Sequence, residues 1–163
     1  MAADRATVSV SASLLPDNIK TSVGGTTTYD INDNGSANKW IFVRMQTDST
    51  TARDLVTEDG VQYLNETITY TDTIPLTVEA TDDVVFIVIK NTATTDGSTA
   101  STANLYVGMS GGDLSVNSGT IVIGPNEVWF AKLRGEALAD INAASSSGDL
   151  TYDVWALLED GGF

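Results

Sequence analysis

The longest uninterrupted run of apolar residues covers positions 84–89, between Asp82-Asp83 and Lys90-Asn91. Apart from Phe86 the run contains only valine and isoleucine, a composition that favours a strand over a helix. Six residues are too few to cross a membrane, which takes about 20 apolar residues. A run of this length is typical of a strand covered on both faces. We therefore expect residues 83–90 to form the central core strand.

Two other segments alternate apolar and polar residues with the period of two that marks a strand. In residues 7–14 the apolar positions are Val8, Val10, Ala12 and Leu14, and Pro16 then ends the pattern because proline cannot continue a ladder. In residues 150–158 the alternation predicts the last strand. The first twenty residues are open to two interpretations, an extended amino-terminal arm or simply the first strand of the fold.

The remaining apolar segments are short and separated by turn-forming residues. We predict further strands at 26–31, 40–45, 61–64, 67–70, 76–80, 104–109, 120–123 and 128–133, and single helical turns within 46–54 and 136–141. Gly24-Gly25 is predicted to be a turn, and Gly124-Pro125-Asn126 carries the turn chemistry of a hairpin. Many short strands separated by turns indicate an all-β sandwich or barrel. We predict one β-sandwich domain over residues 1–163, with a jelly-roll-like order of strands.

Composition excludes several classes of function. The 163 residues carry 22 acids against 8 Lys and Arg, a formal charge of −14, so the net field repels nucleic acid and anionic membranes. The absence of cysteine removes disulfides and thiolate metal sites, and the absence of histidine removes the usual general base. The chain shows no apolar signal-peptide core and no membrane-spanning run, which fits assembly in a cytoplasm.

One segment has half of a calcium-binding pattern. Asp30, Asn32 and Asn34 alternate before Gly35, as ligands do in the first half of such a loop, but Ile41 occupies the position of the closing glutamate. Asn, Asp and Gly also favour turns through local hydrogen bonds. We therefore expect a solvated turn and predict no metal-binding residue.

Three pairs of acids are the nearest approach to catalytic chemistry: Asp82-Asp83, Glu58-Asp59 and Glu159-Asp160. Two carboxylates can cleave a glycosidic bond when they face each other across a cleft, but neighbours on a strand point to opposite faces. We expect all three pairs to be solvated charges at strand edges. Without a nucleophile elbow, a histidine or a phosphate-binding loop, we predict no catalytic residue, no cofactor and no enzymatic activity.

The three tryptophans, Trp40, Trp129 and Trp155, lie inside apolar strands. We expect them to pack in the core, because aromatic rings bury the largest areas. If one of them faces outward, a subunit interface is the next interpretation, with a sugar-stacking platform as a further alternative.

The order of segments over residues 82–160 resembles small structural proteins of tailed-phage particles, of the capsid decoration or cement type. The resemblance rests on DVVFIVIKNTATTDG, NLYVGMSGG, GTIVIGPNEVWFAKLRG, LADI and GDLTYDVWALLED. It implies a β-sandwich on the outer surface of a virion, assembled in the bacterial host cytoplasm. The implied partners are the major capsid protein or other virion proteins, together with copies of the chain itself in a homo-oligomer, a trimer in our expectation.

Two other functions remain open at this point. The first is a head–tail, tail or fibre component with the same fold and a role in binding a host glycan. The second is a glycosidase or metal-dependent hydrolase, which requires facing carboxylates in a cleft.

Overall fold

A computed structural model describes residues 5–14, 21–30, 39–50, 53–55, 62–63, 68–70, 81–109, 121–133 and 135–159. The strands in these residues are β1 (Arg5–Leu14), β2 (Thr21–Asp30), β3 (Lys39–Thr47), β4 (Arg53–Asp54), β5 (Gln62–Tyr63), β6 (Ile68–Tyr70), β7 (Asp83–Asn91), β8 (Leu105–Gly108), β9 (Ile121–Ile123), β10 (Val128–Lys132), β11 (Asn142–Ser145) and β12 (Leu150–Glu159). A single 3₁₀ turn, Leu138–Asp140, is the helical element of the described residues.

The strands form three antiparallel sheets. The large sheet has the order β10-β7-β12-β3-β5, with β6 also paired to β3, and the small sheet has the order β4-β11-β8-β9. β1 and β2 form the third sheet by themselves. The all-β prediction is confirmed, because strands account for nearly all regular structure in the described residues. The jelly-roll order of strands stays a prediction.

The hydrophobic core lies between the large and small sheets. One cluster of fully buried side chains joins the two sheets. It includes Ile87, Ile89 and Val154 of the large sheet and Leu105 and Val107 of the small sheet. Side chains from two inner faces that meet in this way make a β-sandwich. Burial of large aliphatic side chains, about 1.5–3 kcal/mol each, is what holds the two sheets together.

The central strand of the large sheet is β12, with β7 beside it, so the prediction that residues 83–90 take the central place is wrong although their strand is confirmed. Hydrogen bonding decides the order, and β12 pairs with β7 on one side and β3 on the other. The register of β7 skips Val85, since Leu158 is opposite Val84 and Leu157 is opposite Phe86. A bulge of this kind shifts the alternation.

The first two strands pair along their whole length, from Arg5 opposite Asp30 to Leu14 opposite Thr21. The predicted turn at Gly24-Gly25 is wrong, because both glycines lie within β2. Gly24 faces Ser11 and Gly25 faces Val10. Among the described strands β1 pairs with β2 alone, and whether this hairpin serves as an arm stays a prediction.

The segment between β9 and β10 is a corner between sheets. β9 pairs with β8 in the small sheet and β10 pairs with β7 in the large one, so the predicted hairpin is wrong. The Gly124 N–H donates to Glu127 Oε2 at 2.8 Å, and the Glu127 N–H donates to the Gly124 carbonyl at 3.0 Å. Asn126 has a positive φ of 63°, a conformation that Asn adopts more readily than most residues. Turn residues thus reverse the chain without deciding which sheet it enters.

The predicted helical turns and the remaining strands agree only in part with the structure. The helical turn expected within 136–141 is confirmed as the 3₁₀ turn, whereas the described part of 46–54 is strand and bend, so the helical turn expected there is wrong for those residues. β11 was missed, because NAAS lacks the β-branched residues that mark strands. The strand predicted at 76–80 lies outside the described residues. The described residues include no helix with the length and apolar character needed to span a membrane.

Candidate functional site

The candidate site is a row of apolar residues across the outer face of the large sheet, the face turned away from the small sheet. Phe130 on β10 is opposite Val88 on β7, Val88 is opposite Trp155 on β12, and Trp155 is opposite Phe42 on β3. Directly opposed residues of antiparallel strands project to the same face. We call Phe130, Val88, Trp155 and Phe42 the outer row; Ile68 on β6 continues its register beyond Phe42.

The outer row is partly open to solvent. Phe130 is 44% exposed and Trp155 is 37% exposed, while Val88 and Phe42 are half-buried. The rings of Phe42 and Trp155 lie 4.8 Å apart between centroids and are tilted by 37°, a contact that contributes about 0.5–1.5 kcal/mol beyond area burial. The sheet thus holds an aromatic pair in place without covering it.

A charged row runs beside the outer row. Val128, Lys90, Asp153 and Arg44 are opposed in register across β10, β7, β12 and β3. Arg44 donates from Nε to Asp153 Oδ1 at 2.5 Å and from the second guanidinium nitrogen to Oδ2 at 2.8 Å. These hydrogen bonds to Asp153 raise the pKa of Arg44 above its usual value, so the guanidinium stays charged. The two-bonded geometry fixes both side chains on the sheet.

On the other side of the outer row the same face is covered. Phe86 is 4% exposed and Leu157 is 2% exposed, although neither belongs to the core cluster between the sheets. Phe86 lies 6.5 Å from Phe130, centroid to centroid. The exposed apolar strip is therefore bounded by charged residues on one side and by buried apolar residues on the other.

Charge on this face is balanced. Its described charged residues are Arg44, Lys90 and Lys132 against Asp83, Asp153 and Glu159, placed there by the register of the strands. The whole chain carries −14. The outer face therefore lacks the excess negative charge that would repel an acidic partner.

An open cavity of about 480 Å³ lies at the end of this face beside the bulge, lined by Asp83, Val84, Val85, Lys132, Leu133, Gly135 and Glu159. Asp83 and Glu159 are directly opposed across β7 and β12, and like charges in that position repel each other. Lys132 in the same cavity offsets their charge. Among the described residues no group of three metal-ligating side chains occurs.

Of the two tryptophan side chains in the described residues, one lies in the core as predicted and one does not. Trp129 is partly buried and packs against the core cluster as expected. Trp155 does not: it projects from the outer face, so its assignment to the core is wrong. Because Trp155 is one residue away from the buried Val154 and Ala156, the pleat turns it outward. The side chain of Trp40 lies outside the described part of the chain.

The acid pairs also depart from expectation. Asp82 is 0% exposed, so the prediction of a solvated charge is wrong at that position. Its neighbour Asp83 is half-buried and lines the cavity, which agrees with neighbouring acids pointing different ways. Glu159 is exposed as predicted. Glu58-Asp59, Asp160 and the loop containing Asn32 and Asn34 lie outside the described residues.

The loop after β7 is tied to the sandwich at its base. Asn91, which is 0% exposed, donates from Nδ2 to the carbonyls of Ala103 and Ile123, each at 3.0 Å, and accepts from the Ala93 N–H at 2.8 Å. The hydroxyls of Thr92, Thr94 and Thr151 hydrogen-bond to one another. The polar residues of the loop 91–103 therefore hold its base against the sandwich through hydrogen bonds.

The tip of this loop is organised by Asp96. Its Oδ1 accepts from the backbone N–H of Thr99 at 2.6 Å and of Ser98 at 2.8 Å, and both hydroxyls also donate to the carboxylate. These bonds, led by the Thr99 N–H, hold the pKa of Asp96 well below its usual value.

Sequence analysis missed the outer row, although a signal for it was present. The segments WIFV, DVVFIVIK, VWFA and DVWALL place apolar residues at consecutive positions, whereas a strand with one wet face alternates. All four segments come together in one sheet, whose outer face therefore carries a row of apolar residues beside its charged ones. A scan against protein-family models, a search of curated proteins and a search of solved structures found no match to this chain.

Proposed function

We propose that the chain is a structural virion protein, a capsid decoration or cement protein that binds the outer surface of a phage head and bridges neighbouring capsid subunits. The observation that carries the proposal is the outer row, a partly exposed aromatic strip on an acidic protein. The resemblance of residues 82–160 to decoration proteins supports the same function and supplies the partner, the major capsid protein. The protein would act by binding and would assemble as a homo-oligomer.

The physical basis is burial of a preformed apolar surface. Trp155 and Phe130 project from strands that are hydrogen-bonded within the large sheet, so little conformational entropy is lost when a partner covers them. Aromatic residues of this kind dominate binding energy at many interfaces. A stable contact must bury about 1,000 Å² or more in total, so residues around the outer row must take part.

The test is co-sedimentation of purified protein with undecorated heads. We expect binding at symmetry-related positions in stoichiometric amounts, and we expect Trp155→Gln to weaken binding at least about tenfold, since an interface tryptophan typically contributes about 2 kcal/mol or more. Val122→Gln is the matched control, because Val122 is 55% exposed but lies on the small sheet. Equal loss for both variants, or no co-sedimentation of the unaltered protein, contradicts the proposal.

A second candidate function is a head–tail, tail or fibre component that binds a host glycan. The exposed ring of Trp155 beside Phe42 favours it, because sugars stack on aromatic faces. A glycan array probed with the unaltered protein separates the two functions. Specific hits abolished by Trp155→Gln would support the glycan-binding component, and an array without hits removes it.

A further inference from the structure

The strand β10 forms an edge of the large sheet. Among the described strands it pairs with β7 alone. The Glu127 carbonyl accepts from the Asn91 N–H at 3.1 Å, and the Leu133 N–H donates to the Val85 carbonyl at 3.1 Å. Backbone groups alternate in direction along an antiparallel strand, so the odd-numbered residues of β10 face β7. The N–H and C=O groups of Val128 and Phe130 consequently point toward the open edge.

The side chains at the same positions are exposed. Val128 is 52% exposed and Phe130 is 44% exposed, while Trp129 between them packs against the core. An edge with outward backbone groups and apolar side chains is a template for another strand. Peptide partners commonly bind by adding a strand to an edge of this kind.

We propose that β10 pairs with β10 of a second copy of this chain, antiparallel and about a two-fold axis at Phe130. This inference identifies the self-association surface of the proposed structural protein, and its role on a particle rests on that proposed function. It puts a two-fold dimer in place of the trimer that the resemblance implies. In this register Phe130 is opposite Phe130 of the partner subunit, and Val128 is opposite the partner's Lys132. The two Phe130 residues exchange a pair of backbone hydrogen bonds, as opposed residues do in an antiparallel ladder.

The charges along β10 are compatible with a second copy as the occupant. Repulsion between two chains of −14 opposes self-association in general. Within β10 the sole charge is Lys132, and the two-fold register places it opposite a valine. The two Lys132 residues are then four positions apart along the ladder, about 13 Å, which exceeds the Debye length of about 8 Å at physiological salt. No pair of like charges is therefore opposed across β10.

The apolar surface is also continuous in the pair. Phe130 is the last member of the outer row, so its partner extends the row from one large sheet into the other. Two aromatic residues directly opposed across strands contribute about 0.2–1 kcal/mol relative to alanine. A strand of five residues is only about 17 Å long, so the interface is small and we expect a weak dimer, with a Kd on the order of 1–100 µM. On a particle surface, binding to the shell would raise the local concentration and favour pairing.

The test is sedimentation equilibrium of the isolated protein over a range of concentrations. We expect the unaltered chain to dimerise. Phe130→Lys and Phe130→Glu each place like charges directly opposite in the two-fold register, and each is expected to weaken self-association at least about tenfold. An equimolar mixture of the two variants is expected to regain the dimer, because opposite charges then face each other. This rescue also shows that both variants are folded.

Val122→Lys is the matched control, since it adds the same charge at an exposed valine on the edge strand of the other sheet; we expect it to dimerise normally. Four results would each overturn the inference: the unaltered chain stays monomeric, it forms a trimer, its dimer is unaffected by Phe130→Lys, or the two variants do not associate when mixed. Because no heads are present, failure here is distinct from failure of head binding. A dimer that ignores heads retains the inference and removes the proposed function.

Discussion

Two adjacent rows of the large sheet differ in solvent exposure although both are apolar. Trp129, Ile89, Val154 and Val43 form the inner row, and Phe130, Val88, Trp155 and Phe42 form the outer row one residue away on the same four strands. Ile89, Val154 and Val43 are at most 1% exposed, whereas Trp155 and Phe130 are 37% and 44% exposed. Hydrophobicity alone therefore does not decide burial here.

The difference lies in what faces each row. The inner row contacts the small sheet, so its burial contributes to folding within a single chain. The outer row has aromatic side chains where a solvated strand would carry polar ones, and part of that surface is left open. This division indicates that the inner face stabilises the sandwich and that the outer face is available for a partner.

The largest expected effect tests the two rows directly. We expect Ile89→Ala to lower the free energy of unfolding by about 3–4 kcal/mol, because it leaves a cavity among fully buried side chains. Val88→Ala, at the next position on β7 but on the outer face, is expected to cost about 1 kcal/mol or less. Urea unfolding of both variants measures the difference. Equal losses would show that the outer row is as deeply involved in folding as the inner row.

A smaller effect is expected from the charged row beside the outer row. Arg44→Met leaves Asp153, 5% exposed, without its ion-pair partner, and we expect a loss of roughly 2 kcal/mol, reduced from the buried-pair value because Arg44 is partly exposed. The double variant Arg44→Met/Asp153→Leu is expected to recover most of this loss, since no uncompensated charge remains. Thermal or urea unfolding checks both.

The sign of the pH dependence follows from the Arg44 pKa. Hydrogen bonding to Asp153 raises that pKa above its usual value, so the contribution of Arg44 is complete below the usual pKa and is lost only as the pH rises through the raised one. Titration of the unaltered protein from neutral pH to pH 10 should therefore show no loss of stability attributable to Arg44.

The double variant Arg44→Met/Asp153→Leu also provides the contrary outcome. If it is as unstable as Arg44→Met, the loss does not come from an uncompensated charge on Asp153.

The smallest effect is expected at Asp96, which lies on neither face. Its pKa is lowered from 3.8 by the hydrogen bonds from Thr99 and Ser98, so its contribution to loop order is present above the usual pKa and is lost as pH falls below it. Asp96→Asn removes the charge at every pH. We expect the amides of Ser98 and Thr99 to exchange faster in the variant at about pH 5, and the difference to shrink toward about pH 2.

Hydrogen exchange at the inner-row amides is the control for Asp96→Asn, because those residues belong to paired strands of the large sheet, whereas Asp96 accepts its hydrogen bonds from Ser98 and Thr99. If protection of Ser98 and Thr99 is equal in the two proteins at about pH 5, the carboxylate does not organise the loop.

Local patterns were sufficient to find most strands. Alternation and short apolar or β-branched runs depend on neighbours along the chain. They predicted, within a few residues, β1, β3, β5, β6, β7, β8, β9, β10 and β12. Pairing was not predictable in this way. Gly124-Pro125-Asn126 reverses the chain as its residues indicate, yet the strands on its two sides enter different sheets. The outer row could not be predicted for the same reason, since its four members come from four separate segments.

The amino-acid sequence by itself determined the all-β class, the negative charge, the lack of cysteine and histidine, and the alternation that assigns neighbouring residues to opposite sides of a strand. These are properties of composition or of contacts a few residues apart. Only the tertiary structure decided that β12 takes the centre of the large sheet, that β9 and β10 part at a corner, and that Trp155 faces outward beside Phe42. Those outcomes depend on pairing between residues as much as 119 positions apart, 39 to 158, which no local pattern encodes.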